Sequence, residues 1–317
     1  MKSFQAHIAV VIPCYKVENH IEEVVTSIPE FIEHIILVND CSPDSTPTLL
    51  DTLASKNPKI KVVHHTKNKG VGGAMISGFK KALELQADIA VKLDGDGQMD
   101  AHYLPTLLHP ILKEKADFSK GNRFKDHLAI RQMPLIRRIG NIGLSFLIKA
   151  ASGYWNIFDP TNGYIAINKE TLQALDWNRI HQRYFFESSL LIELYHVNAV
   201  IEDVPMKAKY GNEVSNLSVT KTLFEFPPKL FVAFIRRLLL KYFLYEFTIA
   251  SLYLITGLPL LLIGIYYGIT DFIKYTHLQT AAPTGTVIIP TLMITLGFQL
   301  LLAAINFDIG NYPKKSN

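Results

Sequence analysis

Val91-Lys92-Leu93-Asp94-Gly95-Asp96-Gly97-Gln98 closes a short apolar run and sets two carboxylates and an amide at alternate positions. Hard oxygen ligands at that spacing, directly after a strand, suit a divalent cation holding a diphosphate. Upstream, β-rich runs alternate with helical patterns: residues 8–12 then 21–31, 35–38 then 47–56, 60–64 then 72–85, and finally 89–93. That rhythm predicts βαβ units, a mainly parallel sheet with helices on both faces, and ligands at the carboxyl ends of the strands. Each run ends in a polar cluster: Pro13-Cys14-Tyr15, Asn39-Asp40, Lys67-Asn68-Lys69-Gly70 and Asp94-Gly95-Asp96.

Other readings of these motifs fail on single residues. An EF-hand loop beginning at Asp94 needs glycine at its sixth position and an acid at its twelfth, where Met99 and Pro105 stand. Counting a dinucleotide fingerprint from Gly70 puts Met75 at the third glycine, and counting a P-loop from Gly73 puts Phe79 at its lysine. A glycine-rich helix start remains, able to bring backbone N–H groups near an anion or simply to pack closely. His64, His65, His102 and His181 lack the spacing of a metal set.

The 317 residues allow one large domain and an accessory part, and a hydrophobic content of 49% is high for a wholly soluble chain. Asp, Glu, Lys and Arg are absent from 247–270 and again from 275–307. Two membrane spans are expected, at 249–269 and 286–305, with Pro259 and Pro290 tolerated as they are in lipid. Lys221, Lys229, Arg236, Arg237 and Lys241 precede the first span, Lys314 and Lys315 follow the second, and the connection carries only Asp271 and Lys274. The positive-inside rule then puts both flanks and the catalytic part in the cytosol. The apolar run at 8–12 is too short to span and lacks a cleavage site. Cys14 and Cys41 fit a reducing compartment. The net charge of +4 gathers near the membrane and reads as attraction to lipid, not nucleic acid. The expected organisation is a catalytic domain over 1–217, an amphipathic juxtamembrane region over 218–247, a two-helix hairpin over 248–307 and a tail over 308–317.

Further polar clusters stand at Gly121-Asn122-Arg123, at Asp159-Pro160-Thr161-Asn162-Gly163 and at Glu187 after Tyr184-Phe185-Phe186. Arg131, Arg137 and Arg138 lead into an apolar helix near 142–151, and a strand then a loop are expected over 204–217. Tyr154, Trp155 and Phe158 could stack on a sugar, or belong to the core.

Ile12-Pro13-Cys14-Tyr15-Lys16-Val17-Glu18, Val38-Asn39-Asp40-Cys41-Ser42-Pro43-Asp44-Ser45-Thr46, Asn68-Lys69-Gly70 and Leu93-Asp94-Gly95-Asp96-Gly97-Gln98 together resemble the family 2 glycosyltransferases of GT-A fold. With Gly121-Asn122-Arg123 and the apolar hairpin, the chain is most similar to their polyprenyl-phosphate branch, which includes dolichol-phosphate mannose synthase. The resemblance implies that Pro13, Tyr15, Glu18, Asp40, Lys69 and Gly70 bind a UDP- or GDP-linked sugar. It implies that Asp94, Asp96 and Gln98 hold Mg²⁺ or Mn²⁺ against the donor diphosphate, with Asp96 catalytic; Glu187 is the further catalytic candidate the sequence offers, as a base or equally as a structural or sugar-hydroxyl ligand. Arg123, Arg137 and Lys209, with Arg131 and Arg138 nearby, would receive the phosphate of a membrane polyprenyl (dolichyl or undecaprenyl) acceptor. Departures from the family pattern are Lys16-Val17 for Asn-Glu, Asn39 for the first of two aspartates, and Cys41 for glycine.

The expected reaction inverts the anomeric carbon. A phosphate monoester loses its second proton near ~6 and needs no base, whereas a hydroxyl acceptor in a glycolipid synthase would need Glu187 or Asp159 as one. A catalytically inactive membrane adaptor is the reading from another class, and the assembly state is open to a homo-oligomer.

Overall fold

A computed structural model describes residues 6–123, 135–207 and 219–315, apart from the side chains of 135–139, 141 and 219–223. It divides into two compact units, Met1–Ala233 with Pro313–Asn317, and Phe234–Tyr312.

In the first unit, β1 (Ile8–Cys14), α1 (Ile21–Ser27), β2 (His34–Asn39), α2 (Thr46–Lys56), β3 (Ile60–His64), α3 (Gly70–Glu84) and β4 (Ile89–Lys92) follow the expected alternation. Residues 8–12 of β1 are wholly buried, which explains an unbroken apolar run where a half-exposed strand would alternate. Helix α1 stops at Ser27, short of the expected end, because Ile28 turns extended ahead of Pro29. Then come α4 (Leu104–Leu112), β5 (Phe118–Asn122), α5 (Leu135–Ser152), β6 (Ile165–Asn168), α6 (Lys169–Ala174), α7 (Phe186–His196) and β7 (Ile201–Pro205). Strand β7 lies earlier in the chain than the run expected from residue 204.

The seven strands form one α/β sheet in the order β3-β2-β1-β4-β6-β5-β7. All neighbours are parallel except β6, which runs antiparallel to both β4 and β5, with Ile165 opposite Lys92 and Lys120. An antiparallel strand begins where its neighbours end. The loop before β6, carrying Asp159 to Gly163, is therefore delivered to the carboxyl ends of β4 and β5.

Helix α8 (Val219–Leu239) contains the boundary between the units and leads through a π-helical turn (Leu240–Tyr245) to α9 (Ile249–Leu278) and α10 (Thr284–Gly310). The last two are long and apolar enough to cross a membrane, and only 22% and 17% of their most apolar stretches is buried. Core helices of a soluble fold would be largely covered. Both run beyond the expected spans because helix continues through the polar flanks.

Arg237 corrects a sequence expectation. It is 1% exposed, with Nη1 2.7 Å from Asp308 Oδ1 and Nη2 2.8 Å from Asp308 Oδ2, instead of facing lipid headgroups. The Tyr242 hydroxyl donates to Asp308 Oδ1 at 2.6 Å, and the Ser251 hydroxyl donates to the Tyr242 carbonyl at 2.6 Å. The planar guanidinium matches a carboxylate at two points, which favours pairing over solvation once the group is enclosed.

Candidate active site

The last residue of β4 is a lysine with both faces of its strand covered. Lys92 is 1% exposed, and its Nζ lies 2.6 Å from Asp94 Oδ1 and 3.6 Å from Glu187 Oε1. Burial pulls its pKa down most strongly, but the carboxylates of Asp94, Glu187 and Asp96 together raise it above the ordinary value. The ammonium is thus held charged inside the fold. Gly163 makes room for it, since a Cβ there would sit 2.3 Å from Lys92 Nζ and 3.5 Å from Asp94 Oδ2.

Asp94, Asp96 and Gln98 are half-buried in the turn after β4, where the Gln98 amide donates to Asp96 Oδ1 at 3.0 Å. Among the described residues no group of three or more His, Cys, Asp or Glu side chains gathers as a metal cage. Two carboxylates still fit Mg²⁺ or Mn²⁺, which such sites bind through one or two carboxylates plus substrate phosphates and water.

The loops after β1 and β2 are tied together. Lys16 N donates to Ser42 Oγ at 2.7 Å, Val17 N to Thr46 Oγ1 at 3.2 Å, and Glu18 Oε2 accepts from both the amide (3.0 Å) and the hydroxyl of Ser45. Pro13 sits half-buried in β1, and Tyr15 is 45% exposed beside it. Lys16 and Cys41 both adopt φ +56°, a left-handed conformation costing about 1–2 kcal/mol in a residue with a Cβ. Asparagine and glycine, which the resemblance leads one to expect at these places, tolerate it better.

Asp40 is buried, and its carboxylate accepts from Lys69 N at 2.8 Å and Gly70 N at 2.7 Å. His65 Nδ1 lies 2.7 Å from Asp40 Oδ1, and its Nε2 2.8 Å from Ser77 Oγ. The anion at the start of α3 is thus the protein's own Asp40. Close packing accounts for the glycines: Gly73 N donates to Gln182 O at 2.8 Å, and a Cβ on Gly72 would lie 2.2 Å from His181 O.

Arg123, immediately after β5, reaches the wholly buried Asp159 through Nε at 2.7 Å and Nη2 at 3.1 Å. Thr161 Oγ1 adds 3.2 Å to the same carboxylate. Asp159 is thereby an anchor for Arg123 and not a solvent-facing base. Asn162 Nδ2 donates to Gly121 O at 2.8 Å, and Lys120 Nζ donates to the Asn162 carbonyl. Burial lowers the Lys120 ammonium to about 8. Two clusters separate in sequence are thus one structure. Glu187 lies in the first turn of α7, with Phe185 packed edge-on to Phe226 at 4.9 Å. Tyr154 is core, its hydroxyl donating to Ala199 O at 2.6 Å, whereas Phe158 is exposed beneath Lys149 Nζ at 4.9 Å. Arg131 and Lys209, and the side chains of Arg137 and Arg138, lie outside the described residues.

The sequence motifs left Lys92, Lys120, His65 and Gly163 without a role. One signal was available for the lysines: a cation within an otherwise apolar strand must find a partner when buried.

Asp203 braces the same region by accepting from Phe158 N at 2.7 Å and Asn122 Nδ2 at 3.1 Å. Its Oδ1 is buried with no hydrogen-bond partner among the described residues, and burial pushes the carboxyl up to about 6. A raised acid contributes stability below its unfolded pKa near ~4, and that contribution is lost as pH rises through about 6. Asp203→Asn is expected to stabilise the protein by about 2–3 kcal/mol at pH 7.5, with the gain shrinking toward pH 5, as read from melting temperature against pH.

Residues 9–176 match the family described as Glycosyl transferase family 2. The chain is 34% identical over 216 residues to the UDP-N-acetylglucosamine–dolichyl-phosphate N-acetylglucosaminyltransferase of Methanococcus voltae, covering 64% of this chain and 86% of that one. It is 32% identical over 181 residues to the undecaprenyl-phosphate mannosyltransferase of Micrococcus luteus, covering 57% and 72%. Among solved structures, S. aureus TarS 1–349 is similar with a TM-score of 0.45 at 15% identity, covering 97% of this chain and 89% of that one. The chain belongs to glycosyl transferase family 2.

Proposed function

We propose that this protein transfers a sugar from a nucleoside diphosphate donor to a polyprenyl phosphate at a membrane surface, inverting the anomeric carbon. The observation that carries the reading is the gathering of Asp94 and Glu187 around Lys92 at the carboxyl end of β4. Arg123 stands at the end of β5, two strands away in the sheet. The dolichyl and undecaprenyl phosphate acceptors named for the Methanococcus and Micrococcus relatives support a lipid phosphate. Two apolar helices support membrane attachment, and the basic flanks support a cytosolic catalytic unit with the hairpin loop outside.

In this mechanism the nucleoside of a UDP- or GDP-sugar lies along the loops holding Pro13, Tyr15, Glu18 and Asp40, the last oriented by the Lys69 and Gly70 amides. Asp94, Asp96 and Gln98 face the diphosphate. Bound Mg²⁺ or Mn²⁺ supplies Lewis-acid neutralisation of the leaving diphosphate, on the order of several kcal/mol. Arg123, with Arg137 and Lys209, attracts the acceptor phosphate, whose oxygen forms the new bond to the anomeric carbon from the opposite face. The bond to the diphosphate breaks, and the leaving group takes the electron pair. No proton has to be removed from an acceptor that is already an anion. Glu187 then holds sugar hydroxyls.

The test is a screen of UDP- and GDP-sugars with Mn²⁺ and membranes containing polyprenyl phosphate, reading product by mass. Failure of every donor would sink the proposal. With the active donor, Glu187→Gln is expected to retain turnover within about tenfold, whereas a loss of a thousandfold or more would assign Glu187 as the base for a hydroxyl acceptor.

A further inference from the structure

We propose that Lys92 is a built-in counter-cation of the donor site, a positioning residue that fixes Asp94 and Glu187 and withholds Asp94 Oδ1 from divalent-cation coordination. The inference rests on the transferase reading and assigns that site a part not supplied by its carboxylates.

Enclosing an ammonium is unfavourable unless its protons meet acceptors. Lys92 donates to Asp94 Oδ1 at 2.6 Å in the turn after β4, and its charge is also faced by Glu187 Oε1 at 3.6 Å, an ion-pair partner from the first turn of α7, far away in the chain. Without a cation between them, the Asp94 and Glu187 carboxylates would repel, and either could swing away. A lysine is also a compact point charge with no accepting atom, so it orders oxygens without competing for a cation. The surroundings are shaped to its tip, because any side chain at Gly163 would overlap Nζ. With Oδ1 occupied, Asp94 presents Oδ2 to the donor. The protein alone is then a weak divalent-cation site, and the oxygens of the nucleoside diphosphate complete it.

The experiment compares full-length wild type, Lys92→Met and Gly163→Ala in detergent, titrating Mn²⁺ without nucleotide and following free Mn²⁺ by electron paramagnetic resonance. Gly163→Ala keeps the charge and displaces only the flexible end of the lysine, so it remains informative if Lys92→Met does not fold. Both variants are expected to bind Mn²⁺ at least about fivefold more tightly than wild type, because Asp94 Oδ1 is released. Both are also expected to lose about a hundredfold in kcat, with donor KM changed by less than about threefold, because Asp94 is no longer held in place at the donor diphosphate. Unchanged or weaker Mn²⁺ affinity in the folded variants would overturn the proposal and leave Lys92 a purely structural charge. If wild type transfers no sugar from any donor, the transferase reading fails, while the Mn²⁺ comparison still decides what Lys92 does.

Discussion

Asp96→Asn is expected to lower sugar transfer by at least about a thousandfold at saturating donor and Mn²⁺, the scale of losing Lewis-acid stabilisation at the departing diphosphate. Asparagine preserves the shape and can still accept the Gln98 amide that now reaches Asp96 Oδ1 at 3.0 Å. The turn after β4 should survive and the melting temperature should stay close to wild type. Asp94→Asn makes the instructive comparison. It also weakens the hold on the buried Lys92 ammonium, 2.6 Å away, so it should lose stability as well as turnover. Initial rates and thermal melts on the two variants separate these effects. Turnover of Asp96→Asn within about tenfold of wild type would remove the diphosphate assignment from this turn.

The largest effect on stability is expected in the helical unit. Asp308→Ala leaves the Arg237 guanidinium enclosed without its two-point partner, and removes the acceptor of the Tyr242 hydroxyl. Orphaning one member of a buried pair costs about 3–5 kcal/mol. Replacing both members with apolar residues, as in Arg237→Met with Asp308→Leu, should recover most of that, because no uncompensated charge remains. Thermal unfolding in detergent reads the difference. A single variant that melts like wild type would mean that water reaches Arg237 and that the pair contributes nothing.

The two sites differ in how far they could be read from the chain. Asp94, Asp96 and Gln98 announce themselves because the strand and its polar turn are contiguous, and the βαβ rhythm before them says which end of the strand they occupy. Asp40 was also legible as a strand-end carboxylate, but its engagement with the amides of Lys69 and Gly70 and with His65 was not. Those partners come from the loop after β3, and only the parallel pairing of β2 with β3 brings them there. Arg123 and Asp159 were each visible as polar clusters. Their two-point contact depends on β6 lying antiparallel between β4 and β5. Nothing in the four residues of β6 specifies a neighbour or a direction.

Local physics therefore determined from sequence alone the α/β class, the polar ends of the parallel strands, the carboxylate-bearing turn after β4 and two helices of membrane-spanning length, since periodicity and apolar runs act over a few residues. Tertiary structure decided where the buried charges went. Lys92 became the centre of the site through carboxylates at Asp94 and Glu187, and Arg237 left the lipid-facing role expected of it for Asp308. An enclosed charge takes its meaning from whichever opposite charge the fold places within ion-pairing distance. Pairing across such separations is set by strand order and helix packing, not by spacing along the chain.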